Sequence, residues 1–289
     1  MRCKWFATVA LVGGVVLGAA SAGAQPSIDT SARQATTPLT QPQAASVTAW
    51  ARHWTDELAT GDAARVAEAR NQLNREFAAG GTSVYQSFLS STLSRHLAPL
   101  ASSKVPLVGV NAMLVAGRLS NGVVPVVQAA LNNEDVPAVR YLAGRAIDSV
   151  TANAAALGRP LQPADLQKLL QALEATTPNE ASTEVLRSLL PAYVVLPIPE
   201  AVPAVLKRLS ARVPAAWKDP GVAVEPSTAA LERLVRRLID DRIAGRLPDP
   251  VLADAARVAY RNLALALHNL NTEAAPAEPN LKQIGRAHV

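Results

Sequence analysis

Cysteine is almost missing from this chain: Cys3 is the only one in 289 residues. It lies in a leader expected to be removed, so the mature chain can form no disulfide of its own, and thiol catalysis and cysteine-ligated metal centres are excluded. Aromatic residues make up only 4% of the chain and β-branched alternation is rare, which argues against sheets. No His-Glu-x-x-His, Gly-x-Ser-x-Gly or Gly-x-x-x-x-Gly-Lys pattern occurs, so three common routes to hydrolytic or phosphate chemistry have no carrier. Once His288 at the terminus is set aside, His53, His96 and His268 stand far apart on three different predicted helices. A zinc site would need three unrelated helices to converge. No catalytic residue, metal ligand or cofactor is therefore expected.

The two ends of the chain carry their own signals. Arg2 and Lys4 precede an apolar stretch from Trp5 to Ala20, and small residues follow up to Ala22-Gly23-Ala24. This is the tripartite pattern of a secretory signal cleaved after Ala24, which places the mature chain in the periplasm or outside the cell. A retained anchor would instead need about 18 apolar residues and no good cleavage site. No cysteine follows the site, which argues against a lipid anchor. At the other end, Ile284–Val289 is the translation of ATC GGA AGA GCA CAC GTC, which resembles a DNA-sequencing adapter. These six residues are expected to be non-biological, and the natural chain to continue beyond about Gln283.

These exclusions change the electrostatics. The formal charge of +5 falls to +3 without Arg2 and Lys4, and to +2 without Arg286. So small and mixed a charge gives no reason to expect nucleic acid or an anionic surface as partner.

What is abundant is alanine and leucine. Gln25 to Ala45 holds Pro, Gln, Ser, Thr and Ala with hardly a large apolar side chain. Such a segment cannot bury enough surface to offset its ordering entropy, and it reads as a flexible tether over 25–45. Beyond it an all-α pattern sets in. Val47, Trp50, Trp54 and Leu58 share one face of a helix over Ser46–Thr60, with Gly61 as its stop. Asp62 caps a second helix with Val66, Ala69, Leu73 and Phe77 inward, ending at Gly80-Gly81. Thr82 starts a third, with Tyr85, Phe88, Leu89 and Leu93 inward and a break near Pro99. Side-chain caps and left-handed glycines supply the start and stop signals. Residues 46–103 thus form an N-terminal helical cap.

From about Lys104 short helices alternate with turns. Asn111–Leu119 is followed by the turn Asn121-Gly122 and the partner helix Val123–Leu131. Asn132-Asn133-Glu134-Asp135 then turns and caps Pro137–Ile147. Here the chain resembles a HEAT-type repeat protein. The resemblance rests on a second helix ending in Ala130-Leu131, on the acidic turn at Asp135, and on Val139-Arg140 followed by small residues at Ala143 and Ala146. Asp165–Leu173 and Ala201–Leu209 repeat the second-helix pattern, and their last leucines follow Leu131 at intervals of 42 and 36 residues. Such repeats run to about 40–47 residues. Two departures stand out: a long loop from about Thr151 to Gln162, and Val185-Leu186-Arg187 in place of a clear Val-Arg pair.

The resemblance covers about 104–214 and implies a right-handed stack of antiparallel helical hairpins, a HEAT-like solenoid. C-terminal helices follow over 215–271, with Trp217-Lys218-Asp219-Pro220-Gly221 at their start, and an Ala-, Glu- and Pro-rich linker over 272–283.

Trp50 and Trp54 would suit a sugar platform, but their spacing with Val47 and Leu58 is that of a core stripe. Arg233, Arg236, Arg237 and Arg242 would suit an anionic partner, but Glu232, Asp240 and Asp241 stand among them. Glu232 with Arg236 and Arg237 with Asp241 are spaced for pairing within the helix. Arg140 and Arg145 fit structural roles at helix surfaces between turns. The resemblance implies a non-enzymatic scaffold or adaptor that binds a protein or peptide through its concave face. Two alternatives stay open. One is an accessory domain of a larger envelope enzyme truncated at its C-terminus, whose catalytic part would lie beyond that end. The other is a glycan- or small-molecule-binding helical domain using Trp50, Trp54 or Trp217.

Overall fold

The computed structural model describes residues 25–218, 225–245 and 249–274. The leader over 1–24, the segment Asp219-Pro220-Gly221, most of the expected linker and the terminal hexapeptide lie outside the described residues. Twelve α-helices and one 3₁₀ turn, with no strand, make up the described residues. They are α1 (Thr30–Arg33), α2 (Gln41–Ala59), α3 (Ala63–Ala79), α4 (Ser83–Ala101), α5 (Pro106–Ala116) and α6 (Val124–Leu131). Then come α7 (Pro137–Ala156), α8 (Pro163–Thr176), α9 (Thr183–Val195), α10 (Ala201–Lys218), α11 (Glu225–Ile243) and α12 (Asp249–Ala274). The all-α class expected from composition is what the structure has. No described helix is long and apolar enough to cross a membrane.

Local chemistry sets most helix ends. Asp62 accepts from the Arg65 amide at 2.9 Å, Thr82 from that of Tyr85 at 3.3 Å and Ser182 from that of Val185 at 3.3 Å. Proline opens α5, α7 and α8, where its missing N–H would have had no helical partner. Gly61 and Gly122 turn the chain at φ +70° and +68°, a region that favours glycine. The inward stripes then pack in two interleaved series. α2, α4, α6 and α8 contact one another in succession, as do α3, α5, α7, α9 and α11, while α10 packs on α9 and α12. Trp50 and Trp54 are buried between them at 7% and 4% exposure, together with Val47 and Leu58.

The segment expected to be a tether is docked. Ile28 and Ala32 are buried, and the Arg33 guanidinium grips Glu76 of α3 through two bonds of 2.7 Å. The Tyr85 hydroxyl donates to the same carboxylate, and Thr82 Oγ1 donates to the Ala35 carbonyl at 2.5 Å. The Gln43 side chain accepts from the Thr40 amide at 2.9 Å and so starts α2 at Gln41 instead of Ser46. The segment stays ordered because these polar contacts add to the burial of Ile28 and Ala32.

Burial pushes the Glu76 carboxyl up, but Arg33 and Tyr85 pull it down further, leaving it below the ordinary carboxylate range. The Tyr85 hydroxyl is raised, first by burial and then by Glu76. The Glu76 contribution is therefore present above the unfolded carboxyl value of about 4.3 and lost as pH falls through the lower folded value. That of Tyr85 is present below about pH 10 and lost as pH rises beyond it. Glu76→Gln is expected to lower stability by about 1–2 kcal/mol near neutrality and to flatten the acid limb of the melting temperature against pH. Parallel acid limbs for the two proteins would remove this clamp from the account.

Other boundaries move for physical reasons. α4 runs past Pro99 to Ala101, since the proline leaves unpaired a carbonyl of exposed Arg95 that water can reach. α10 likewise continues through Pro214 to Lys218. α5 begins at Pro106 and stops at Ala116, earlier at both ends than the sequence suggests. α7 continues to Ala156, shortening the expected long loop, because Val150 and Ala154 extend its buried face. The turn before α7 is held by Asn133 and not Asp135. Asn133 Oδ1 accepts from the Val136 amide at 3.0 Å while Nδ2 donates to the Ala101 and Ser103 carbonyls at 3.0 Å. Asp135 makes an exposed pair with Lys104 at 3.3 Å.

Candidate functional site

A cleft of about 710 Å³ opens where the α3–α4 turn faces the C-terminal ends of α5 and α7. Asn71, Asn74 and Arg75 reach it from α3, being three and four residues apart and so on one helix face. Gln86 comes from the first turns of α4, Arg118 from the turn after α5, and Asn153 from the last turn of α7. The bare backbone of Gly80 and Gly81 completes the lining. A Cβ on Gly81 would sit 2.7 Å from the Tyr85 ring and 3.1 Å from the Arg33 carbonyl, at φ +138°, so glycine is required there.

The turn that carries Arg118 is tied down on both sides. Asn153 Nδ2 donates to the Gly117 and Leu119 carbonyls, each at 3.2 Å. The Ser120 amide donates to Ser90 Oγ at 3.1 Å. These bonds consume the amide donors of Asn153 and leave its Oδ1 as an acceptor.

Two polar atoms in the lining are buried yet have no hydrogen-bond partner within the chain: Asn74 Oδ1 and Gln86 Nε2. Gln86 is only 7% exposed. A buried polar atom left unpaired costs about 1–3 kcal/mol, and most in native structures are paired. Both atoms are closed to solvent in this structure, so a ligand in the cleft can pair with them once the two carboxamides turn outward about their soft terminal torsions.

A second cleft of about 480 Å³ adjoins the first and shares Arg118 and Asn153 with it. It runs between α5 and α7, past exposed Leu114 to Arg145. Together the two form a trough crossing α3, α5 and α7. Among the described residues no aspartate or glutamate lines it, and Arg75, Arg118 and Arg145 form no ion pair there. Asp148, beyond Arg145, is bound by Arg233 of α11 at 2.8 Å. The trough is thus cationic and rich in carboxamides.

Residues singled out in the sequence lie elsewhere. His53 and His96 are half-buried on α2 and α4, and the side chain of His268 is outside the described residues. The His53 ring meets Trp54 edge-on with centroids 4.7 Å apart. Burial lowers the His96 pKa, with Arg95 and Arg52 adding to the effect and Asp56 opposing it. Among the described residues no three His, Cys, Asp or Glu side chains cluster as a metal site would need. Trp217 is on α10, with its side chain undescribed.

The α11 arginines pair partly as spaced: Glu232 with Arg236 at 2.8 Å and Arg237 with Asp241 at 3.4 Å. Arg237 also donates to the Val194, Leu196 and Ile198 carbonyls at 2.7–3.0 Å, closing the C-terminal end of α9. A helix spacing cannot disclose that contact.

An apolar groove of about 300 Å³ between α11 and α12 has, among the described residues, Arg242 as the one charged group in its lining. Without fixed polar groups it has little with which to orient a ligand. The polar trough is the stronger candidate. Sequence reasoning passes over Asn71, Asn74 and Gln86; the signal it offers is the second, polar face that Asn71, Asn74 and Arg75 make on α3. Set against protein-family models, curated proteins and solved structures, the chain matches none of them, so a functional reading stands on the geometry of this trough.

Proposed function

We propose that the chain is an exported HEAT-like α-solenoid, a right-handed stack of antiparallel hairpins, that serves as a periplasmic or secreted scaffold or adaptor. It binds a protein or peptide partner through the trough across α3, α5 and α7, which is the concave face of the stack, and performs no catalysis of its own. Two interleaved series of contacting helices support the architecture, since stacking each hairpin on the next is how such repeats bury a continuous core.

The observation that carries the functional reading is the trough itself. It spans successive helices of one series, and it presents unpaired carboxamide atoms and unpaired guanidinium groups together. Fold analogy alone would be a weak warrant.

A photo-crosslinking amino acid placed at Asn71 or Ser149, both exposed and in the trough, tests this. Irradiation in envelope extract is expected to yield one discrete adduct from both positions, identifiable by mass spectrometry and reproducible with the purified partner. Gln128 on α6, exposed in the other helix series, serves as control. Adducts from Gln128 alone, or equally from all three positions, would overturn the assignment of the face.

A further inference from the structure

We infer that the trough takes an acidic peptide in extended conformation, its backbone held by Asn74 and Gln86 and its carboxylates by Arg75, Arg118 and Arg145. This deepens the peptide-binding reading and rests on it.

The backbone part follows from matching donors and acceptors. Gln86 Nε2 is a buried donor without partner and Asn74 Oδ1 a buried acceptor without partner. With the two carboxamides turned to the cleft, a peptide unit offers one carbonyl and one N–H, the complement of that pair. A fully deprotonated anion such as sulfate would satisfy the donor and leave the acceptor unpaired.

The charge part follows from the arginines that line the trough. Arg75, Arg118 and Arg145 belong to α3, the end of α5, and α7, successive members of one helix series, with no carboxylate in the described lining between them. Packed helices lie about 8–10 Å apart, and an extended chain advances about 3.3–3.6 Å per residue. A peptide crossing the series therefore advances about three residues from one helix to the next, and along the trough it meets these three arginines in turn. Guanidinium groups bind carboxylates through paired hydrogen bonds, which favours Asp or Glu side chains opposite them.

Two competing ligands fit less well. Among aromatic side chains the lining holds Phe77 alone, so sugar rings have little to stack on. Three cations with no stacking platform are also a poor match for single-stranded nucleic acid.

The test pans a random-dodecapeptide phage library on the purified full chain and measures selected peptides by fluorescence anisotropy. Enriched sequences are expected to carry Asp or Glu in excess, at more than one position. Their affinity is expected to fall at least about tenfold on Gln86→Leu and on Arg118→Ala, and to be unchanged on Gln128→Leu. Gln86→Leu is also expected to melt no lower than the parent, because it removes a buried amide that nothing in the fold satisfies. A structural role for Gln86 would instead lower both affinity and melting temperature.

Enriched peptides without acidic excess, or ones that bind both trough variants as tightly as the parent, overturn this inference while leaving peptide binding in place. Absence of any enriched peptide likewise overturns this inference, while the crosslinks from Asn71 and Ser149 decide the scaffold reading separately. Displacement of a selected peptide by N-acetylchitotriose, lost in Gln86→Leu, would reassign the trough to sugar.

Discussion

Arg140→Ala is expected to destabilise the fold by about 3–5 kcal/mol, because it strands a buried carboxylate. Arg140 Nε donates to Glu180 Oε2 at 2.6 Å and Nη2 to Oε1 at 3.2 Å. Its third nitrogen donates to the Asn133 and Glu134 carbonyls at 2.6 and 3.1 Å. The side chains are only 14% and 3% exposed, so solvent cannot take over these roles. Glu180 in turn accepts from the Ser182 amide at 2.8 Å, and Ser182 caps α9. One guanidinium thus joins the turn before α7 to the turn before α9.

Removing Arg140 alone leaves Glu180 charged and largely dry. Replacing both partners, as in Arg140→Met with Glu180→Leu, removes that penalty and is expected to recover more than half of the loss. Urea unfolding followed by circular dichroism measures both. A single-variant loss below about 1 kcal/mol, the range of an exposed pair, would show that water reaches the site and that the pair is not the fastener described here.

The second large effect runs against helix propensity. Alanine is favoured over glycine inside a helix by about 0.5–1 kcal/mol, so Gly144 in the middle of α7 invites a stabilising Gly144→Ala change. A Cβ there, however, would lie 2.7 Å from the carbonyl carbon, carbonyl oxygen and Oγ of Ser188 in α9. Two of those atoms are backbone and cannot turn away. α7 and α9 must separate, and overpacking of this kind costs about 1–3 kcal/mol. Gly144→Ala is therefore expected to lower stability by that amount net of the propensity gain.

Ser188→Gly discriminates between the possible contacts, since it removes Oγ and leaves the backbone in place. No rescue is expected in the double variant. Full rescue would mean that only the hydroxyl obstructs, and that the backbones are free to approach.

Both effects belong to contacts between segments distant in sequence, where the amino-acid pattern stops being legible. The caps Asp62 and Thr82, the stop at Gly61, the Val47–Trp50–Trp54–Leu58 stripe and the pairing of Glu232 with Arg236 are all readable from the sequence. Each depends on residues within about one helical turn, where helix geometry sets the distance. The docking of residues 25–40 is not readable in this way. Composition reports how much apolar area a segment can bury, and this segment is held by an arginine whose partner lies 43 positions away. Asp135 looks like the cap of α7 by residue type alone, whereas Asn133 holds that turn because its carboxamide donates to the Ala101 and Ser103 carbonyls and accepts from the Val136 amide, and a carboxylate could only accept.

The same division runs through the candidate site. The sequence by itself determined the all-α class, most helix starts and stops, and the burial of Trp50 and Trp54, because these follow from local hydrogen bonding and a 3.6-residue period. Only the tertiary structure decided that Asn74, Gln86, Arg118 and Asn153 meet, that Arg140 reaches Glu180, and that Gly144 lies against Ser188. Those positions stand on separate helices at no regular interval, and their distances are set by how the helices pack.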